Sequence, residues 1–85
     1  MSNEKKILID SLYINSGGGK EILDLIVNYV YKNNLENFFL FLLDSRYDVP
    51  IHSNKKIDFV KISPSEKGRK DFYIQNKNFE SYFCL

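Results

Sequence analysis

Between Lys6 and Lys32 the chain changes its hydrophobic period once, across three consecutive glycines. Ile7, Leu8, Ile9 and Leu12 are apolar with little alternation, so Lys6 to Leu12 reads as a strand covered on both faces. Tyr13-Ile14-Asn15-Ser16-Gly17-Gly18-Gly19 is a loop by its small and polar residues. From about Gly18 to Lys32, Ile22, Leu23, Ile26, Val27, Val30 and Tyr31 recur at helical spacing and form a wide apolar stripe. Lys20, Glu21, Asp24 and Asn28 cover the other face, and Asn33-Asn34 stops the helix. A strand followed by a helix and a further strand predicts a right-handed crossover to a parallel neighbour.

The remaining elements extend that unit. Phe38 to Leu43 is a short, Phe-rich strand, and Asp44 to Lys56 is a polar connection carrying Pro50 and His52. Ile57 to Ile62 is a third strand, whose Asp58 and Lys61 suit a sheet edge. Ser63-Pro64-Ser65-Glu66 has the form of a helix start. Ser63 caps, Pro64 takes the first helical position and Glu66 closes a capping box. This helix runs to about Asn76, with Phe72 and Tyr73 on its buried side, Gly68 as a weak point and Lys77 near its C-terminus. Phe79 to Leu85 is a fourth strand. The order β-α-β-β-α-β fits either the first half of a doubly wound sheet or a complete split sandwich. The unalternating first strand and the long second connection favour the former. The expected fold is α/β: a partial Rossmann-like, three-layer α/β/α arrangement with a parallel sheet, residues 1–85 forming a single incomplete domain.

Composition excludes several classes. The chain has 85 residues, with 12 Lys+Arg against 11 Asp+Glu, a balance that argues against a nucleic-acid partner. At 44% hydrophobic and 15% aromatic it is too apolar for disorder. No apolar stretch reaches the roughly 20 residues of a membrane anchor, and Asp10 interrupts any signal-peptide core, which points to the cytoplasm. Cys84 and His52 are too few for a zinc site, and no metal is expected. They read as a buried thiol in a terminal strand and a surface histidine.

Ser16-Gly17-Gly18-Gly19-Lys20-Glu21 is the candidate for chemistry. Glycines let the backbone approach a ligand, and the helix behind them offers free N–H groups and its positive end to a phosphate or sugar hydroxyl. Lys20 adds a cation. The phosphate motifs of nucleoside triphosphatases do not fit, because Ile14 and Glu21 stand where glycine and Ser or Thr are needed. The dinucleotide fingerprint fails at Ile22. The run is therefore either an unorthodox ligand-binding turn or a flexible turn with no ligand. Asp10 lies near the C-terminal end of strand one, with no second acid adjoining it. Asp44 and Arg46 follow strand two as a solvated turn with a local ion pair. Arg69-Lys70 reads as a solvated helix face, and Tyr13 and Tyr47 as residues packing at loop bases.

The stretch Lys6-Ile-Leu-Ile-Asp-Ser-Leu-Tyr-Ile-Asn-Ser-Gly-Gly-Gly-Lys-Glu-Ile-Leu resembles the start of bacterial glycosyltransferases of the GT-B fold, in the retaining, family 4-like group related to polysaccharide-building enzymes. Phe39 to Arg46 and Phe83-Cys84-Leu85 are similar to the second and fourth strands of their N-terminal domain. The resemblance implies two facing Rossmann-like domains with the active site between them. The first domain mainly holds the acceptor, and its glycine-rich loop approaches the donor's sugar and diphosphate. On this chain that assigns substrate or phosphate contact to Gly17, Gly18, Gly19 and Lys20. It assigns no catalytic residue, because the paired glutamates and basic residue of the second domain are not among these residues and His52 is misplaced for the catalytic-loop histidine. The implied activity is sugar transfer from a nucleotide sugar, as donor substrate and not cofactor, to a glycan or lipid-linked acceptor. The chain is then an N-terminal fragment, inactive alone, with an exposed strand edge prone to self-association. The alternative is a small autonomous α/β module that binds a partner or an anion without chemistry.

Overall fold

A computed structural model describes residues 4–33 and 36–85. Met1 to Asn3, the start of the segment weighed as a signal peptide, and Asn34 lie outside the described residues. The elements follow the order β1 (Lys6–Ser11), α1 (Gly17–Asn33), β2 (Phe38–Asp44), β3 (Ile57–Ile62), α2 (Glu66–Gln75) and β4 (Ser81–Cys84). The strands form one sheet in the order β3-β2-β1-β4. All three pairings are parallel, with Ile9 opposite Phe41, Phe41 opposite Phe59 and Leu8 opposite Tyr82. The split sandwich is thereby excluded.

The chain moves one way across the sheet from β1 to β3, then reverses over two strands to reach β4. Crossovers of one hand then place the two helices on opposite faces, and the core divides accordingly. Ile9, Phe41, Leu43 and Ile57 meet Leu23 and Val27 of α1 on one face, while Leu8, Leu12, Leu40 and Leu42 meet Phe72 of α2 on the other. Successive residues of β1 and β2 thus enter different cores, which is why neither strand alternates.

Several expectations need correction. Ile22 and Tyr31 are exposed on α1, because the buried stripe centres on Leu23 and Val27. Residues 45–56 are not simply polar: Tyr47 is fully buried, and Val49 and Ile51 pack beside it on the α1 side. They supply the cover over the β3 side that a second helix would otherwise give. The cap of α2 is Ser65, whose Oγ accepts from the Gly68 amide at 2.9 Å. Ser63, Pro64 and Glu66 therefore form no capping box, since Glu66 is the first helical residue. Gly68 is closely packed: a Cβ there would stand 3.0 Å from Ser65 Oγ and 3.3 Å from Ile62 Cδ1, so both side chains would have to give by a few tenths of an ångström. Cys84 is exposed, because β4 is an edge strand reached by little of α2. The other edge, β3, exposes Asp58 and Lys61 as its sequence indicates. No helix of the described residues is long and apolar enough to cross a membrane.

Candidate functional site

The carboxyl ends of β1 and β2 carry the chemistry-bearing residues, at the rim where open α/β sheets bind ligands. The first group surrounds the glycine turn. Ile14 N–H donates to Ser11 C=O at 3.1 Å, turning the chain out of β1. Asn15 Nδ2 donates to Asp44 Oδ2 at 2.9 Å, tying the loop to the end of β2. Gly17 then opens α1 with φ +69°, a left-handed conformation that side chains disfavour. Nothing lies within 4 Å of a Cβ placed at Gly17 or Gly18, whereas one at Gly19 meets Ile14 Cγ2 at 3.4 Å. The three glycines thus differ: backbone geometry demands Gly17, Gly19 sits in ordinary contact, and Gly18 is demanded by neither backbone nor packing. The first turn of α1 contains no acid to occupy its amides. Lys20 faces away from those amides: its Nζ pairs with Asp24 at 3.0 Å and lies 5.8 Å from the centre of the Tyr47 ring.

Asp44 is 0% exposed. It accepts from Arg46 three times, from N–H at 2.9 Å, Nε at 3.0 Å and Nη2 at 2.8 Å. The Arg46 guanidinium holds the Asp44 carboxyl well below the usual range, helped by the Arg46 amide and Asn15 and against the effect of burial. The local ion pair expected here is present, but its acid is buried and not solvated. Asp24 is held low chiefly by the Tyr47 hydroxyl, which donates to it at 2.5 Å, and by Lys20. Burial, and then the Asp24 bond, push the Tyr47 hydroxyl up.

The second group centres on Asp10, which is 1% exposed. It accepts from Tyr73 Oη at 2.6 Å and from the Leu12 amide at 3.1 Å. Arg69 approaches from α2, with Nε 3.0 Å from Oδ2 in an ion pair that is off-axis for a hydrogen bond, and Nη2 3.4 Å from Oδ1. The guanidinium lies 4.9 Å from the centre of the Tyr13 ring. Tyr13 Oη donates to Glu66 at 2.7 Å, and Glu66 also lies 3.5 Å from Arg69 Nη1. Burial, then the Asp10 bond, push the Tyr73 hydroxyl up.

Arg69 is therefore no solvated residue, and the expectation of one fails because its helix face also carries Phe72 and Tyr73. That spacing, three and four residues on, was the available signal. Tyr47 packs at a loop base as expected, while Tyr13 is half exposed beneath Arg69. The glycine turn and Asp44 are joined through Asn15, and Asp10 joins the α2 group. His52 is exposed and belongs to neither, whereas Cys84, also exposed, stands opposite Asp10 in the sheet beside the second group. Comparison with protein-family models, with curated proteins and with solved structures finds no match.

Proposed function

We propose that this chain forms the acceptor-side part of a Rossmann-like domain in a glycosyltransferase, which moves a sugar from a nucleotide-sugar donor to a glycan or lipid-linked acceptor in the cytoplasm. One observation supports it above others: the glycine turn opens α1 at the carboxyl end of an inner parallel strand, with open space where side chains of residues 17 and 18 would stand. An anion there meets unpaired amides and the positive end of a helix, so a diphosphate needs little else to hold it. In this reading Gly17, Gly18 and Gly19 lie against the donor, and Lys20 joins them by exchanging Asp24 for phosphate. No residue of the 85 is assigned to bond breaking, so that chemistry belongs to a facing domain. The outer edge of β4, with Tyr82, Phe83 and Leu85 exposed beside it, takes a further strand in the whole enzyme and a second copy when the chain is alone.

Amide shifts of the 85-residue chain, titrated with UDP-glucose and GDP-mannose, test the reading. Saturable changes at residues 17–19 that disappear in Gly17→Val are expected. A turn unresponsive to every nucleotide sugar overturns it. Sugar transfer by the 85-residue chain itself would put catalytic groups among these residues and overturn the division between two domains.

A further inference from the structure

Beside Arg69 the flank of α2 borders a groove of about 370 Å³, lined by Glu66, Arg69, Lys70, Tyr73, Ile74 and Lys77. Its size falls in the range of small-ligand sites, roughly 300–1,000 Å³. Three cations line it against one acid, Glu66. Lys70 and Lys77 have no ion-pair partner among the described residues.

Arg69 gives the groove its chemistry. Its side chain is only 23% exposed and is fixed on three sides, by Asp10, by the Tyr13 ring and by Glu66. A guanidinium carries five N–H donors in a rigid fork. Asp10 takes the Nε–Nη2 side, and the remaining Nη1 side meets only Glu66, at 3.5 Å. An arginine held in place with one side of its fork loosely used loses little freedom when it binds a planar or tetrahedral oxyanion. Tyr73 cannot compete for that role, since its hydroxyl is committed to Asp10. The Tyr73 ring and Ile74 supply the apolar part of the wall.

We propose that this groove binds a small molecule carrying a phosphate or carboxylate on an apolar or aromatic body. Arg69 receives the oxyanion, Lys70 and Lys77 add charge, and Asp10 positions Arg69 from behind. The site lies on the α2 face and does not depend on any function of the glycine turn.

The test is an amide and Arg Nε shift titration of the 85-residue chain at constant ionic strength, with phenyl phosphate in one arm and benzoate in the other. Saturable changes confined to residues 66–77 are expected in at least one arm, and the responding arm identifies the anion. Lys70→Gln/Lys77→Gln, both exposed positions, should keep the native spectrum and weaken binding about tenfold. Arg69→Lys keeps the charge without the fork and should also weaken it. Unsaturable changes in both arms, changes scattered over lysines elsewhere, or equal affinity in the double variant would overturn the proposal. A response at residues 17–19 alone would overturn it too, while leaving the glycine-turn reading intact.

Discussion

Asp10 and Asp44 end neighbouring strands at one rim of the sheet, and both are buried, yet they are satisfied in opposite ways. The cation of Asp44 stands two residues along in the same turn and is 67% exposed. The cation of Asp10 comes from α2, 59 residues away, and is 23% exposed. Once its turn forms, Asp44 has most of its partners. Asp10 has its partners only when α2 has crossed the sheet. The first acid therefore organises a loop, and the second locks β1 to α2 in the complete fold.

Removing partners should expose that difference. Asp10→Ala strands Arg69 and Tyr73 against the apolar end of β1, and Arg69→Ala leaves a buried carboxylate short of its counter-ion. Each should cost about 3 kcal/mol or more, the scale for breaking one side of a buried pair. Arg46→Ala should cost well under half as much, because Asp44 keeps Asn15 and the amide of residue 46. Urea denaturation of the three variants checks this. An Arg46→Ala loss as large as that of Arg69→Ala would erase the distinction between local and tertiary locks.

The acid limb of stability sharpens the same contrast. Asp44 and Asp24 are both held below their ordinary values, Asp44 mainly by Arg46 and Asp24 mainly by Tyr47. A carboxyl lowered in the folded state binds its proton more readily when unfolded. Its stabilisation is therefore present above the unfolded value and is lost as pH falls through the folded one. Unfolding midpoints should hold steady down to about pH 5 and decline below about pH 4. Asp44→Asn should flatten that decline while lowering the plateau. Tyr47 and Tyr73 work in the other direction. Both hydroxyls are pushed up by burial, so their contribution is present below the ordinary tyrosine value and lost as pH rises past about 10. An acid limb unchanged by Asp44→Asn would mean that the local lock carries no pH dependence.

What the sequence discloses follows the same division. The parallel order, the cover on both faces of β1 and the charged β3 edge are legible because each depends on local composition and period. Asp44 and Arg46 are visible as a pair because a turn holds them together, whereas the bond Asp44 accepts from Asn15, 29 residues away, is not. Arg69 reads as solvent-facing because two adjacent cations on a helix, Arg69 and Lys70, usually form a solvated face; its principal partner, Asp10, is in another element. Ser63 reads as the cap because two serines flank Pro64; the hydrogen bond from the Gly68 amide to Ser65 Oγ decides for Ser65. Cys84 reads as buried because free cysteines commonly are, whereas β4 is an edge strand and leaves it exposed.

The smallest effects belong to the glycine turn that Asp44 holds through Asn15. Gly17→Ala places a side chain at φ +69° and should cost about 1 kcal/mol, the penalty of that backbone region for an L-residue. Gly18 has ordinary backbone angles and open space around it, so Gly18→Ala should change stability by less than about 0.5 kcal/mol and even gain slightly from helix propensity. Equal losses at the two positions would mean that the turn is constrained by packing and not by backbone angle. If stability is unaffected by Gly18→Ala while the response of residues 17–19 to nucleotide sugars falls, the missing side chain at that position serves close approach of a ligand, because the fold itself has no use for it.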